Sequence, residues 1–413
     1  MSSDDLSLNI KWRFWPIIVV SLLLPINNSL IILAIPIYFF QQGVNIEFIG
    51  ILAAGTTFTY CVSPLVLNNI SERIGRKRSV IIGVVGMAAS QSIFYLTLSP
   101  IIFLIARLFE GFITGFIWAN LQSSISDNTQ HDHSKYVAKY NFSWTFGVLL
   151  GFLMGAIVLF FVNNILYIFY IAPVLVFIAS LTVIIFFQES VSDRESRTLN
   201  SASGDSNLSI YNDESVSKKY KLNDKQDLRN LQNYKIPLIV PIIFVIGYCF
   251  ARTSVNFIYP IKSEILQFPS YTAYLLAFFS LITQITTITL SSYLSLRNLK
   301  RIPLISLVSL CVVVFLLGIT QNFYVFVFLL FVLGFFNGVL YGASLKLVLY
   351  LNIQKNTSKY ASINESIIGL SFMVGPIIAA YVAHFSINWS FYLFSLIFLS
   401  FFFVSVFYAR KMQ

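Results

Sequence analysis

The chain has 413 residues, of which 57% are hydrophobic and 11% charged, and its formal net charge is +10. Soluble proteins carry about 25% charged residues, so this chain cannot cover a water-facing surface and a soluble globular fold is excluded. The basic residues sit in short turns beside apolar stretches rather than in one patch, which argues against a nucleic-acid surface.

Residues 1–11 are polar and carry no cleavable signal pattern, because the apolar stretch behind them is too long and lacks a small-residue cleavage site. A helix of about 20 apolar residues crosses a bilayer, and longer ones tilt. The first such stretch is 14–40, with Asn27-Asn28-Ser29 near its middle and Pro36 near its end. The second, 46–70, leads through Glu72-Arg73 and Gly75-Arg76-Lys77-Arg78 to a third at 78–98. The fourth, 101–126, carries Arg107, Glu110, Gly111, Thr114 and Gly115 and ends at Asp127. Lys135 precedes the fifth, 136–162, where Gly147, Gly151 and Gly155 stand four apart; the sixth is 165–187. Residues 188–235 are rich in Ser, Asn, Asp and Lys, have no apolar period, and read as a flexible linker. Lys218-Lys219-Tyr220-Lys221 within it suits anionic lipid. Spans resume at 236–262 with Arg252, Asn256 and Tyr259, then 270–296, 301–320, 323–351 with Asn337, 359–384 with Gly375-Pro376, and 387–409. Each must be helical, because lipid offers the backbone no hydrogen-bond partner. The predicted fold class is an all-α membrane protein of twelve helices: a six-helix half at 1–187, the linker at 188–235, and a second six-helix half at 236–413.

One shift of 224 residues relates the halves. It carries Arg73, Arg76 and Lys77 onto Arg297, Lys300 and Arg301, Pro36 onto Pro260, and Gly151 onto Gly375. Gly111 and Gly115 repeat as Gly334 and Gly338 with a one-residue slip. Duplicated membrane units of this length are how many transporters are built. With both termini in the cytoplasm, the inner turns hold Arg73, Arg76, Lys77, Arg78, Lys135, Arg297, Lys300, Arg301, Lys355 and Lys359, and the outer turns hold Lys262 alone. The positive-inside rule therefore places both termini inside. The expected location is the cell membrane.

The cysteines Cys61, Cys249 and Cys311 lie in separate spans without ligand spacing and read as apolar fillers. His131-Asp132-His133 lacks a third ligand and reads as a solvated turn, so no metal and no cofactor is expected.

These residues resemble the major facilitator superfamily over nearly the whole chain. Its turn pattern of acid, base, any residue, Gly and then bases is matched by Glu72, Arg73, Gly75, Arg76 and Lys77, with Asn68 in place of the leading glycine. Arg107 to Gly111 is similar to its Arg-x-x-x-Gly motif, and Asp127 and Lys135 stand where the family often has an acid and an arginine. The Gly-rich fifth span is similar to the family's exporters, although the proline usual there is absent. The resemblance implies a central cavity lined by spans one, four, seven and ten, which places Asn28, Arg107, Arg252 and Asn337 around one pathway. It also implies an inner layer in which Glu72 pairs with a base or with the eleventh span's N-terminus, alongside Asp127 and Lys135, as a latch on the cytoplasmic mouth.

The residues can be weighed one by one. Arg107 and Glu110 share a helical face. They read either as an internal ion pair or as a proton site, in which burial and the guanidinium act on the carboxyl in opposite directions. Arg252, Asn256 and Tyr259 are spaced four and three and so share a face. Arg252 is a candidate for an anionic substrate group, or else snorkels to the outer surface. Gly111, Gly115, Gly147, Gly151, Gly155 and Gly375-Pro376 read as close helix packing. The sequence has no Gly-x-x-x-x-Gly-Lys-Ser/Thr loop, so ATP is not the direct energy source. The expected function is secondary transport of a small solute by alternating access, coupled to protons, with export favoured. Uptake of a sugar or organic anion, and a non-transporting sensor on the same fold, are the alternatives. A membrane enzyme is not expected, and the partners are solute, protons and lipid, with the protein a monomer.

Overall fold

The computed structural model describes residues 13–128, 133–188, 237–291, 296–355 and 359–409, and all regular structure among them is helical. Twelve rods result. They are α1 (Trp15–Gln41), α2 (Ile46–Tyr60 and Ser63–Ile74, on either side of a turn), α3 (Arg76–Ser90, running into a π turn at Gln91–Tyr95), α4 (Pro100–Thr114 and Trp118–Asn128), α5 (His133–Val162) and α6 (Leu166–Phe186). The second set is α7 (Ile239–Thr253, a π turn at Ser254–Ile258, then Tyr259–Ile265), α8 (Tyr271–Ser291), α9 (Leu296–Ile319), α10 (Phe323–Lys355), α11 (Lys359–Ala383) and α12 (Ile387–Ala409). Among the described residues, ten helices are long and apolar enough to cross a membrane; α2 is divided by its turn, and its apolar piece has 15 residues. The chain is a multi-pass membrane protein.

The basic turn is tighter than the sequence suggested. Gly75 alone joins α2 to α3, at φ 97° and ψ 153°, a region that only glycine enters without strain. Arg76, Lys77 and Arg78 therefore open α3 rather than forming a loop. Cations at a helix N-terminus oppose its dipole, so something other than helix stability placed them there.

Packing repeats with the sequence. Within the first half, α1 packs on α5 and α6, α2 on α4, and α3 on α4 and α6; the second half pairs α7 with α11 and α12, α8 with α10, and α9 with α10 and α12. Small residues set these distances. A Cβ on Gly111 would strike the Thr56 carbonyl and the Thr59 hydroxyl, and one on Gly334 would strike the equivalent Ser280 carbonyl and Thr283 hydroxyl. The same hydroxyls cross between helices, Thr59 donating to the Leu108 carbonyl at 2.6 Å and Thr283 to that of Phe331 at 3.2 Å. Gly115 lies against Ser63, and Gly338 against Thr287. Gly151 lies against Ile26 and Ser29, Gly147 against Leu22 and Pro25, and Gly375 against Thr253. Each is a close approach without a hydrophobic driving force between helices.

The halves meet along α2–α11 and α5–α8, with α1 touching α7. Where α2 offers Gly50 to Pro376 and Ala380 of α11, the other seam reverses the sizes and seats Tyr274 of α8 against Gly155 of α5. The Tyr274 hydroxyl donates to the Leu30 carbonyl at 2.6 Å. We call the end of the rods near residues 188 and 237 the linker end and the other the distal end. At the distal end Gln41 donates to Glu264 at 2.7 Å, Glu47 pairs with His384, and Phe160 meets Tyr271 edge-on at 5.4 Å. The distal end is thus closed between halves.

Candidate functional site

Two polar centres interrupt the apolar interior, one in each half. In the first half a π turn at the end of α3 aims Gln91 and Tyr95 inward. Such turns widen the helix by one residue and often mark functional sites. Arg107 Nη1 donates to Glu110 Oε2 at 2.8 Å, Tyr95 Oη donates to the same oxygen at 2.6 Å, and Arg107 Nη1 reaches Tyr95 Oη at 3.2 Å. Arg107 is 5% exposed and Glu110 is fully buried. Gly55 of α2 leaves the space beside Arg107. Phe103 stacks on Tyr95 at 4.3 Å and, with Phe39 and Phe169, walls the cluster off. One turn back, Asn27 and Gln91 exchange two amide hydrogen bonds of 2.9 and 3.0 Å, and Asn27 also donates to the Ala172 carbonyl at 2.8 Å. Burying a charge pair costs several kcal/mol per ion; the close contacts of this triad offset part of that cost, while Arg107 Nε and Glu110 Oε1 stay buried without a hydrogen-bond partner among the described residues.

The second centre is built on α7. Arg252, Asn256, Gln284 and Asn337 line one small cavity with Phe152 of α5. Arg252 Nη1 donates to Tyr248 Oη at 2.9 Å, and the guanidinium sits 5.9 Å from the centre of the Phe372 ring. Tyr248 is itself stacked on Tyr341 at 4.3 Å. Arg252 has no carboxylate partner among the described residues. Asn337 is 1% exposed, and its Oδ1 accepts no hydrogen bond. The cavity is about 20 Å³, room for one water molecule, so the site is contracted in this conformation.

These placements revise the single pathway drawn from the sequence. Arg252, Asn256 and Asn337 do come together. Tyr259 does not join them, because the π turn at 254–258 shifts the helical phase and turns its ring, fully buried, onto Phe326 at 5.3 Å. Arg107 and Glu110 lie inside the first half, not in the cavity with Arg252. Asn28 is exposed at the middle of α1, on the side turned away from the α5 and α6 contacts of Ile26, Ser29 and Asn27. Arg252 is its counterpart 224 residues on, in α7, but Asn28 is not among the residues that line the Arg252 cavity. Arg252 does not snorkel to a surface.

Lys262 was read as an outer-turn charge. It is instead 3% exposed within α7, donates to the Leu317 and Gly318 carbonyls at 2.7 Å each, and lies 5.4 and 5.3 Å from the Phe326 and Phe391 ring centres. It caps the C-terminus of α9, where carbonyls lack helical partners. The turns at the distal end then hold no lysine or arginine at all.

In the inner-gate group, Arg73 and Lys135 are exposed, and Arg76 and Lys77 half-buried. The side chains of Glu72, Asp127 and His133, residues 131–132, and the linker from 189 onward lie outside what the structure describes. No group of metal-ligating residues forms among the described residues. Sequence reasoning missed Tyr95, Gln91, Tyr248 and Gln284, which carry no motif.

The fold is shared with solved transporters. The structure of the nucleoside transporter NupG matches with a TM-score of 0.73 at 13% identity, over 97% of this chain and 99% of that one. The D-xylose-proton symporter matches with 0.67 at 15%, over 96% of each. A bacterial homologue of the human lysosomal transporter Spinster, solved in an inward-facing and unoccupied conformation, matches with 0.73 at 11%, over 96% and 97%. No curated protein matches the chain in sequence. The sequence profile of the Major Facilitator Superfamily matches residues 17–288 and again 241–412, the second match starting 224 residues after the first. The chain therefore belongs to the major facilitator superfamily, and it is a transporter rather than an enzyme.

Proposed function

We propose that the protein is a secondary carrier that moves a small solute by alternating access, driven by protons, in the direction of export. The linker end is the cytoplasmic end, since it holds the basic residues and the distal turns hold none. Solute binds between the halves at the cavity of Arg252, Asn256 and Asn337 on one side and Phe152 on the other, with Asn28 of α1 on the same pathway. Rocking of the halves along the α2–α11 and α5–α8 seams exposes that site to each side in turn. Glu110 is the proton site. Protonating it removes the counter-charge of a buried guanidinium, so proton binding and helix packing are coupled through Arg107 and Tyr95. At the cytoplasmic mouth, the latch is the layer of Glu72, Arg73, Arg76, Lys77, Asp127 and Lys135. Aromatic rings beside Arg252 suit amphipathic solutes, which is the class an exporter of this build takes. The observation that carries the reading is the guanidinium of Arg252, without a carboxylate partner among the described residues, in a polar cavity that Asn256, Gln284 and Asn337 of one half line with Phe152 of the other. Reconstitution into sealed vesicles with an imposed pH gradient tests it. Solute movement should follow the gradient and lose its pH dependence in Glu110→Gln; transport with an unchanged pH profile in that variant removes the proton role, and no flux under any gradient removes the carrier.

A further inference from the structure

We propose that the site on α7 is selective for organic anions and takes a carboxylate onto Arg252. The inference rests on the carrier reading and specifies its substrate. Three observations meet at one point. The first is charge: Arg252 sits at mid-span, and the described residues around it offer hydroxyl and ring faces but no carboxylate. A guanidinium inside a span is costly unless it faces water or a partner, and a planar fork of N–H donors matches a carboxylate in bidentate fashion. The second is the amide set: Asn256, Gln284 and Asn337 converge on the same small cavity, and the Asn337 oxygen is buried without a donor. A buried acceptor left unpaired is disfavoured until a ligand donor reaches it, so the anion carries a hydroxyl or amine near its carboxylate. The third is the repeat: the equivalent position on α1 is the neutral Asn28, so the fold itself does not require a charge at this level.

Tyr248 takes the place of the ligand in the contracted state. Its hydroxyl holds one guanidinium nitrogen while its ring stacks on Tyr341, next to Phe372. A carboxylate arriving from the passage displaces that hydroxyl, and the rings then flank the apolar part of the anion. The site thereby selects on two features, one negative charge and a hydrogen-bond donor close to it.

The test is thermal protection of the purified full chain by lactate, mandelate and benzoate, each compared with its neutral amide at matched ionic strength. The hydroxy acids should protect most, benzoate less, and the amides not at all. Arg252→Gln should weaken protection by the acids about tenfold or more with the unliganded melting temperature near wild type. Arg252→Lys, which keeps the charge without the fork, should fall between. Equal protection by acids and amides, equal protection of wild type and Arg252→Gln, or no protection by any acid overturns the anion site. Should Arg252→Gln fail to fold, Tyr248→Phe supplies the second variant: it frees the guanidinium and should tighten acid binding, and an unchanged or weaker response counts against the site. A carrier that moves a neutral or cationic solute in vesicles while ignoring the acids would keep the carrier reading and lose this one.

Discussion

Under the 224-residue shift, Arg252 and Lys262 of the second half fall on Asn28 and Tyr38 of the first; with the one-residue slip, Arg107 and Glu110 fall on Leu330 and Leu333. Leu330 is fully buried and Leu333 is too. The halves thus keep one scaffold and place their charge differently. The first half encloses a hydrogen-bonded acid–base pair where its twin has plain hydrocarbon. The second half turns a guanidinium into a small polar cavity where its twin has an amide. The glycine–hydroxyl contacts, by contrast, match pair for pair. What repeats is packing, and what differs is chemistry, which on the proposed reading separates the residues that hold the fold from those that carry function.

That comparison can be broken in graded steps. Glu110→Ala leaves Arg107 buried without its partner and should cost about 3–5 kcal/mol of stability, read as thermal unfolding in detergent. The double change Arg107→Leu with Glu110→Leu copies the second half and should restore much of that loss while abolishing pH-driven transport. If the double variant is as unstable as the single, the pair is part of the scaffold after all. Lys262→Met removes two charge-assisted hydrogen bonds to the end of α9, at about 1.5–3 kcal/mol each as an upper bound on separate loss, and should fray that end in amide exchange. Gly111→Ala and Gly334→Ala each drive a methyl into a neighbouring carbonyl and should lose a similar amount, about 1–3 kcal/mol; a large inequality between them would deny that the packing is repeated.

The smallest effect concerns the distal seams. The same shift carries Glu47 onto Tyr271 and Phe160 onto His384, so one seam is closed by an ion pair at the place where the other uses two rings. Glu47→Gln should loosen distal closure across the α2–α11 seam without unfolding the protein, read by spin labels on either side of it, while labels across α5–α8 change less.

Much of this was legible beforehand. The first span, expected at 14–40, is Trp15–Gln41, and the last, expected at 387–409, is Ile387–Ala409. Lipid requires helices and the apolar runs are long, so their limits show. The shift exposed the matched glycines for the same reason. The π turns at 91–95 and 254–258 were not legible, because one added residue leaves no mark in composition, and they decided that Tyr95 would reach Glu110 and that Tyr259 would miss the cavity. Lys262 misled because a charge near a span end normally marks a turn, and only its neighbours show it capping α9.

The central claim is that the two halves rock about a passage open to one end at a time. Spin labels at Gln42 and Gln267 span the distal end, and labels at Arg78 and Asn298 span the linker end; all four positions are exposed. The cysteines Cys61, Cys249 and Cys311, none of them in a disulfide, would first be replaced. Changing pH or adding an organic acid should lengthen one distance population as it shortens the other. Two distances that stay fixed, or that grow and shrink together, would contradict alternating access in this protein.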